Sequence, residues 1–345
     1  MIDLLKDITE LTGVSGHEAK VRARLRDYVT PLVKSVRSDA LGNLLAASGD
    51  AGGLKVLVAA HMDEVGIMAR KIDDKGFVRF TTLGSLRPQV LLGQRVKFTS
   101  GLTGVIGAER LDDMKDLQLS HLYVDIGASS KQEALDAVRL GDTAAFQSTL
   151  EVRGEQIIAK ALDDRIGCAI MIECMKRLPD RARAHNYCWA FTSQEEVGVR
   201  GAQVAAQGLA PDVAVVVDVT PSGDTPKGAD SDVAFGGGAT IKIYDTIPPL
   251  GGFVAPPGLT EFVRSVAIRN DIKWQADVLE RGSTDAMSIH LTGSGVPCVV
   301  ISVPTRYAHT PHEIVDRRDV EQVVRLVLAV LDEIDAAAIG RMFEI

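Results

Sequence analysis

Aromatic side chains are scarce: they form 5% of the 345 residues, and only two are tryptophan. Few platforms are therefore available for stacking sugar rings, which argues against a carbohydrate-processing enzyme. The four cysteines, Cys168, Cys174, Cys188 and Cys298, lie in apolar segments with no CxxC spacing. They read as buried free thiols in a reducing compartment, and the cytoplasm is the expected location. Positive charge is short as well, since 38 Lys and Arg against 46 Asp and Glu leave a formal charge of -8. That balance excludes a general nucleic-acid binder, which must neutralise phosphates. No apolar run in the sequence approaches the ~20 residues that a bilayer-crossing helix requires. The opening MIDLLKDITELTG is acidic and amphipathic, unlike a signal peptide. GxSxG, the P-loop and a GxGxxG following a strand are all missing, and GGGA at 236–239 leads into a strand rather than a helix.

What is present is an ample core, with 46% hydrophobic and 24% charged residues. Two N-terminal helices are expected, MIDLLKDITEL and a second from Ser15, where Ser15 and Glu18 have capping-box spacing ahead of VRARLRDYVTPLV. Strands follow at 43–48 and 55–62, the latter nearly all apolar, as for a strand buried on both faces. Between Ile67 and Glu155 the texture becomes alternating segments and turn signals, at 77–84, 95–101, 103–108, 122–128 and 143–152, with one helix at 130–138. From 157 onward buried strands (187–193, 213–219, 239–245, 274–280, 297–303) alternate with helices (165–178, 257–270, 283–293, 317–337). The expected fold class is therefore α/β with a mainly parallel sheet, built from residues 1–66 and 156–345 and interrupted by a small β-rich, barrel-like module at 67–155.

Polar residues cluster where buried strands end, the place at which open α/β sheets bind ligands. AAHMDEVG (59–66) carries His61 and Asp63, KALDDRIG (160–167) carries Asp163 and Asp164, and TSQEEVG (192–198) carries Glu195 and Glu196. Asp218 ends the most apolar strand, and His309 follows PCVVISV. Each has an ordinary explanation: an Asp after a strand caps a helix or turn, and a lone His is simply hydrogen-bonded. Five strand ends with His, Asp or Glu together favour divalent metal binding with mixed nitrogen and oxygen donors, suited to Zn, Co or Mn. His61, Asp163, Glu196, Asp218 and His309 make five candidate ligands, one more than a tetrahedral zinc uses, so two metals sharing a carboxylate fit better. One of the adjacent glutamates can then bind metal while the other moves a proton, and spacing alone does not order them. Asp63, two residues from His61, is placed to orient its imidazole.

The set AHMDEVG, KALDDRIG, SQEEVGVRGA, VVVDVT and PTRYAH, in this order, resembles the di-metal aminopeptidases that include glutamyl aminopeptidase and the tetrahedral, dodecameric aminopeptidases. Some members of that family are labelled endoglucanases. The resemblance covers nearly the whole chain. It implies two divalent ions per subunit, zinc first and cobalt or manganese as alternatives, with Asp163 bridging them. His61 and Asp218 would complete one site, and Glu196 and His309 the other. Glu195 would be the general base and acid, Asp63 the carboxylate behind His61, and Asp164 the neighbour across a peptide bond that is often cis in related metallopeptidases. The implied activity is removal of the N-terminal residue of peptides. An N-acyl amino acid deacylase is the alternative with the same chemistry, and a glycoside hydrolase using the acidic pairs is a more distant one. The β-rich module would dimerise, and dimers would assemble into a dodecamer. His312 is not expected to ligate. Thr284 and Asp285 match a loop near the site in relatives and equally suit a helix N-cap, His17, His121 and His185 read as surface residues, and His290 reads as packing.

Overall fold

The structure, a computed structural model, describes residues 1–49, 52–178, 185–228, 231–249 and 251–343. Its first segment holds helices α1 (Ile2–Thr9) and α2 (Ala19–Val29) and strands β1 (Ser35–Ser38), β2 (Leu44–Gly49) and β3 (Lys55–His61). Next come β4 (Gly66–Ile72), β5 (Val78–Leu83), α3 (Pro88–Leu91), β6 (Arg95–Phe98), β7 (Thr103–Ala108), β8 (Leu122–Asp125), α4 (Lys131–Ala137) and β9 (Thr143–Phe146). The chain continues through β10 (Glu151–Arg153), β11 (Gln156–Ala159), α5 (Leu162–Arg177), β12 (Asn186–Thr192), α6 (Arg200–Leu209), β13 (Val213–Pro221), β14 (Ala239–Ile247) and β15 (Gly251–Val254). It ends with α7 (Pro257–Arg269), β16 (Trp274–Leu279), α8 (Ala286–Ile289), β17 (Cys298–Arg306), β18 (Glu313–Asp316), α9 (Arg317–Glu333) and α10 (Ala336–Gly340).

Twelve strands form one sheet in the order β1-β2-β12-β3-β13-β17-β18-β11-β10, with β14 beside β17 and β15 and β16 beside β14. The parallel character expected from the apolar runs belongs to the central strands β12, β3, β13 and β17. Most flanking pairs are antiparallel, so the sheet as a whole is mixed. Both faces of the centre are covered, which explains why β13 reads VAVVVDV without alternation. One face packs Val58, Val215 and Val217 against α1, α5 and α9 through Leu5, Ile166, Ile170 and Val327. On the other, alanines dominate (Ala59, Ala190, Ala202, Ala205, Ala214), small side chains that let α6 approach the sheet closely.

The β-rich insertion is a closed six-stranded barrel, β4-β5-β8-β7-β6-β9, filled by Ile67, Val78, Phe80, Val96, Phe98, Ile106, Val124 and Phe146. The segment expected as one strand at 143–152 is two: β9 closes the barrel against β4, whereas β10, on the barrel side of the expected boundary at 155, pairs with β11 in the large sheet. Three helix expectations shift. α8 is one turn instead of 283–293, because Thr284 and Asp285 spend their side chains on Asp245 and Thr192. The helix expected at 317–337 breaks at extended Ile334 before α10. α2 begins at Ala19, later than the expected start from Ser15, and without the capping box: Glu18 is its N-cap residue and makes no side-chain cap bond. All four cysteines are buried and unpaired. Among the described residues, no helix is long and apolar enough to cross a membrane.

Candidate metal centre

The parallel register brings the candidate residues to one edge of the sheet. His61, the last residue of β3, pairs with Thr192 on β12, three residues before Glu195. On its other side Val216 pairs with Ala59, so Asp218 and His61 each lie two residues further along adjacent strands. His309 follows β17 in a left-handed conformation (φ 61°). Asp163 and Asp164 open α5 with non-helical backbone angles and a cis peptide bond between them. Ala161, the first N-cap residue, makes no cap bond, whereas Asp164 caps the regular helix beyond the kink, its Oδ1 accepting the Gly167 amide at 3.0 Å.

These elements converge on Asp163. His61 Nε2 lies 3.0 Å from Asp163 Oδ1, and His309 Nε2 lies 3.3 Å from Asp163 Oδ2 and 3.3 Å from Glu196 Oε2. Two groups of donor atoms result, His61–Asp163–Asp218 and Asp163–Glu196–His309, each with its atoms within 4.8 Å of one another. Asp163 belongs to both. Both imidazoles are turned by backbone carbonyls: Nδ1 of His61 is 3.2 Å from the Asp63 oxygen, and Nδ1 of His309 is 3.0 Å from the Ser85 oxygen. A carbonyl only accepts, so Nδ1 carries the hydrogen and Nε2 is presented to the carboxylates. The barrel therefore supplies part of the site, because Ser85 follows β5.

The Asp63 carboxylate stands 3.5 Å from His61 Nδ1 and is engaged elsewhere. It accepts the Glu195 amide at 3.0 Å, the Glu196 amide at 3.2 Å and the Ser15 hydroxyl at 2.6 Å. Glu313 escaped the sequence reading although it lies four residues past His309. Its two oxygens accept the Asp163 and His309 amides, each at 2.9 Å. Beneath the site, buried Glu64 joins Lys160 Nζ (2.6 Å) and Arg165 Nη2 (3.1 Å), and Arg165 also donates to main-chain oxygens of Met62, Leu11 and Gly13. Glu64 belongs to AHMDEVG and Lys160 and Arg165 to KALDDRIG, so the group ties these two loops to each other and to the N-terminal segment.

Electrostatically the cluster is overloaded with acids. Burial pushes Asp164, Asp218 and Glu195 well above the carboxylate range, and neighbouring carboxylates (Asp218 on Asp164, Asp163 on Asp218, Glu196 on Glu195) push the same way. Burial also raises Glu196. Glu313 is lifted to about 8 by burial and by the charge of Asp163. Asp163 is held low because hydrogen bonds from His309 and His61 outweigh its burial. Burial would lower both histidines, but the facing carboxylates raise them well above the usual value. Glu196 Oε1 is buried without a hydrogen-bond partner. An orphaned carboxylate oxygen beside mutually repelling acids and two Nε2 donors fits cations placed between them.

The remaining candidates lie outside both groups. His312 is exposed, His17 is exposed, and His121 is half-buried and accepts the Gln118 amide. His185, expected at the surface, is half-buried because Nδ1 accepts the Leu54 amide and Nε2 faces the Ile334 oxygen at 3.0 Å. His290 packs edge-on against Phe253, 5.5 Å between ring centres. Thr284 donates to Asp245 at 2.9 Å, and Asp285, at the N-cap position of α8 without a cap bond, accepts Thr192 Oγ1 at 2.5 Å.

Known proteins match this chain over nearly their full length. The lysyl aminopeptidase of Pyrococcus furiosus is 33% identical over 350 residues, covering 96% of this chain and 97% of that protein. A TET aminopeptidase from the marine sediment archaeon Thaumarchaeota archaeon SCGC AB-539-E09 superposes with a TM-score of 0.93 at 33% identity, covering 99% of each chain. The Pyrococcus horikoshii TET1 peptidase, which can assemble into a tetrahedron or a large octahedral shell, matches with a TM-score of 0.85 at 32% identity, covering 96% of this chain and 99% of that one. The M42 glutamyl aminopeptidase pattern spans residues 42–326, a stretch that takes in both donor groups, Glu195 and the whole barrel, and the chain belongs to the M42 glutamyl aminopeptidase family.

Proposed function

We propose that this aminopeptidase removes the N-terminal residue of peptides with two divalent ions and Glu195 as the proton carrier. One observation supports the reading above the others: Asp163 is common to two His–carboxylate groups, while Glu195 belongs to neither and is fixed beside them by the hydrogen bond its backbone N–H donates to Asp63 Oδ1. His61 and Asp218 would hold one ion, Glu196 and His309 the other, and Asp163 would bridge them. Zinc suits this donor set, as do cobalt and manganese. When bound, the ions would acidify a water and neutralise charge growing on the scissile carbonyl oxygen.

The chain's own residues supply the rest. Glu195 takes a proton from the attacking water and returns it to the leaving amine. Its burial and the Glu196 charge beside it raise its proton affinity, which suits a group that must hold the proton between the two steps. Surplus carboxylate charge attracts the protonated α-amine of the substrate, and this selects free N-termini. Asp63 fixes the backbone of both glutamates, so their separate tasks follow from one carboxylate. The barrel, from β4 to β9, acts as the dimerisation domain and the large-sheet segments on either side of it, β10 included, as the catalytic domain, with dimers assembling into a tetrahedral dodecamer in the cytoplasm.

Glu195→Gln tests the reading. Turnover of aminoacyl-nitroanilides with added Zn or Co should fall on the order of 10²–10⁴-fold, as for loss of a general base, with metal content unchanged. Retained turnover refutes the assignment. N-acyl amino acids and cellulose, assayed in parallel, should not be cleaved.

A further inference from the structure

Ser15 and Glu18 have the spacing of a helix-capping pair, yet α2 uses neither side chain as a cap. Both are buried, at 6% and 3% exposure, and both turn toward the loop that carries Glu195 and Glu196. Three consecutive amides of that loop end on buried carboxylates. Gln194 N–H donates to Glu18 Oε1 at 3.2 Å, Glu195 N–H to Asp63 Oδ1 at 3.0 Å and Glu196 N–H to Asp63 Oδ2 at 3.2 Å. The carboxylates are themselves fixed from the N-terminal segment. Ser15 Oγ donates to Asp63 Oδ2 at 2.6 Å, and Gly16 N–H donates to the same Glu18 oxygen at 2.7 Å. Gln194 sits in the left-handed region (φ 57°), where a residue other than glycine stays only when its surroundings hold it.

We propose that Ser15 and Glu18 are positioning residues of the hydrolytic reaction, which aim the side chains of Glu195 and Glu196 by holding the three amides in front of them. The proposal rests on Glu195 being the base. Two adjacent glutamates leave the chain in directions set by the peptide planes between them, so whatever fixes those planes fixes both side chains. The carbonyls of Ser193 and Gln194 accept the Gly201 and Arg200 amides and Asp63 holds the amides of Glu195 and Glu196; Glu18 fixes the remaining amide of the turn, that of Gln194, and Ser15 stops the Asp63 carboxylate from rotating. A misplacement of about 1 Å at such a group lowers turnover roughly a hundredfold. Glu18 lies 176 residues from Gln194 in sequence, and among the described residues neither Ser15 nor Glu18 makes a side-chain cap bond to α2.

The test compares Ser15→Ala, Glu18→Ala and Glu18→Gln in the full-length, metal-loaded protein. Ser15→Ala and Glu18→Ala should each lower kcat about ten- to a hundredfold and change KM less than about threefold. Glu18→Gln keeps the accepting Oε1 and should recover most of the loss. Independently of activity, amide hydrogen exchange at 194–196 should accelerate at least tenfold in both alanine variants, while exchange in α2 and β3 stays at the wild-type rate. A merely structural role would instead speed exchange in α2 and leave kcat per folded molecule unchanged, which overturns the proposal. Glu195→Gln is run alongside. If it retains turnover, the base assignment fails. If it is inactive while both alanine variants match wild type in kcat and exchange, only the clamp fails.

Discussion

Gly84, at the end of β5, carries a prediction that separates the two donor groups. Its φ is +83°, and a Cβ added there would stand 2.7 Å from Val65 Cγ1 and 3.2 Å from Glu196 Oε2. Val65 is buried, so it does not swing away, and the loop must move instead. The next residue, Ser85, holds His309 Nδ1 through its carbonyl, so Gly84→Ala presses on one ligand of the Glu196–His309 pair and drags on the support of the other. Left-handed alanine costs about 1–2 kcal/mol. A disturbed ligand support weakens metal affinity roughly 10–100-fold, or about 1.4–2.8 kcal/mol. His61 and Asp218 touch none of these atoms. Gly93→Ala is the control, because Gly93 has φ +79° with no atom within 4 Å of the added Cβ. Metal per subunit is measured against rising chelator, together with kcat/KM. The variant at Gly84 should release one ion at 10–100-fold lower chelator than wild type and keep the other, whereas Gly93→Ala should lose only the left-handed cost, about 1–2 kcal/mol of stability, and keep both ions. If both ions stay in Gly84→Ala as tightly as in Gly93→Ala, the proposed ligand role of Glu196 is wrong.

Lys160 gives a pH signature, since burial, against the attraction of Glu64, draws its pKa from 10.5 to about 8. Between these values the unfolded chain binds more protons than the folded one, so stability rises with pH, by about 3 kcal/mol over the whole window. Guanidinium unfolding at pH 7.5 and 9.5 should show about 2 kcal/mol of that rise in wild type and lose it in Lys160→Met; an equal rise in both contradicts it. Glu313→Gln leaves one acceptor for the two amides of Asp163 and His309, which should cost about 1–3 kcal/mol of stability and loosen both ions. Unchanged metal retention and unchanged Tm would argue against that support. Light scattering should report a mass of twelve subunits, and a variant with charges placed on the barrel surface should fall to smaller species while keeping its helical signal.

Much of the site was legible because it occupies strand ends. β3, β12, β13 and β17 announce themselves as apolar runs, and a His, Asp or Glu just beyond such a run stands out against them. What supports those residues was not legible. Ser85 and Gly84 reach the centre from the barrel, and Glu313 on β18 reaches Asp163 across 150 residues, separations that no local pattern records. The Ser15–Glu18 spacing misled because a serine followed three residues later by a glutamate is equally a cap or a pair of hydrogen-bonding groups, and only tertiary contacts choose. In the same way the apolar runs specify burial on two faces but not direction, so the antiparallel flanks of the sheet were unreadable. Asp163 in KALDD could be read as a helix cap until the fold turned both its oxygens toward histidines.

The claim at the centre of this account is that one carboxylate joins two metal positions. Metal analysis of dialysed, folded protein tests it most directly, comparing wild type with Asp163→Ala after loading with zinc or cobalt. Two ions per subunit in wild type and none in the variant is the predicted result. Saturation of wild type at one ion, or retention of one ion by Asp163→Ala, would contradict it.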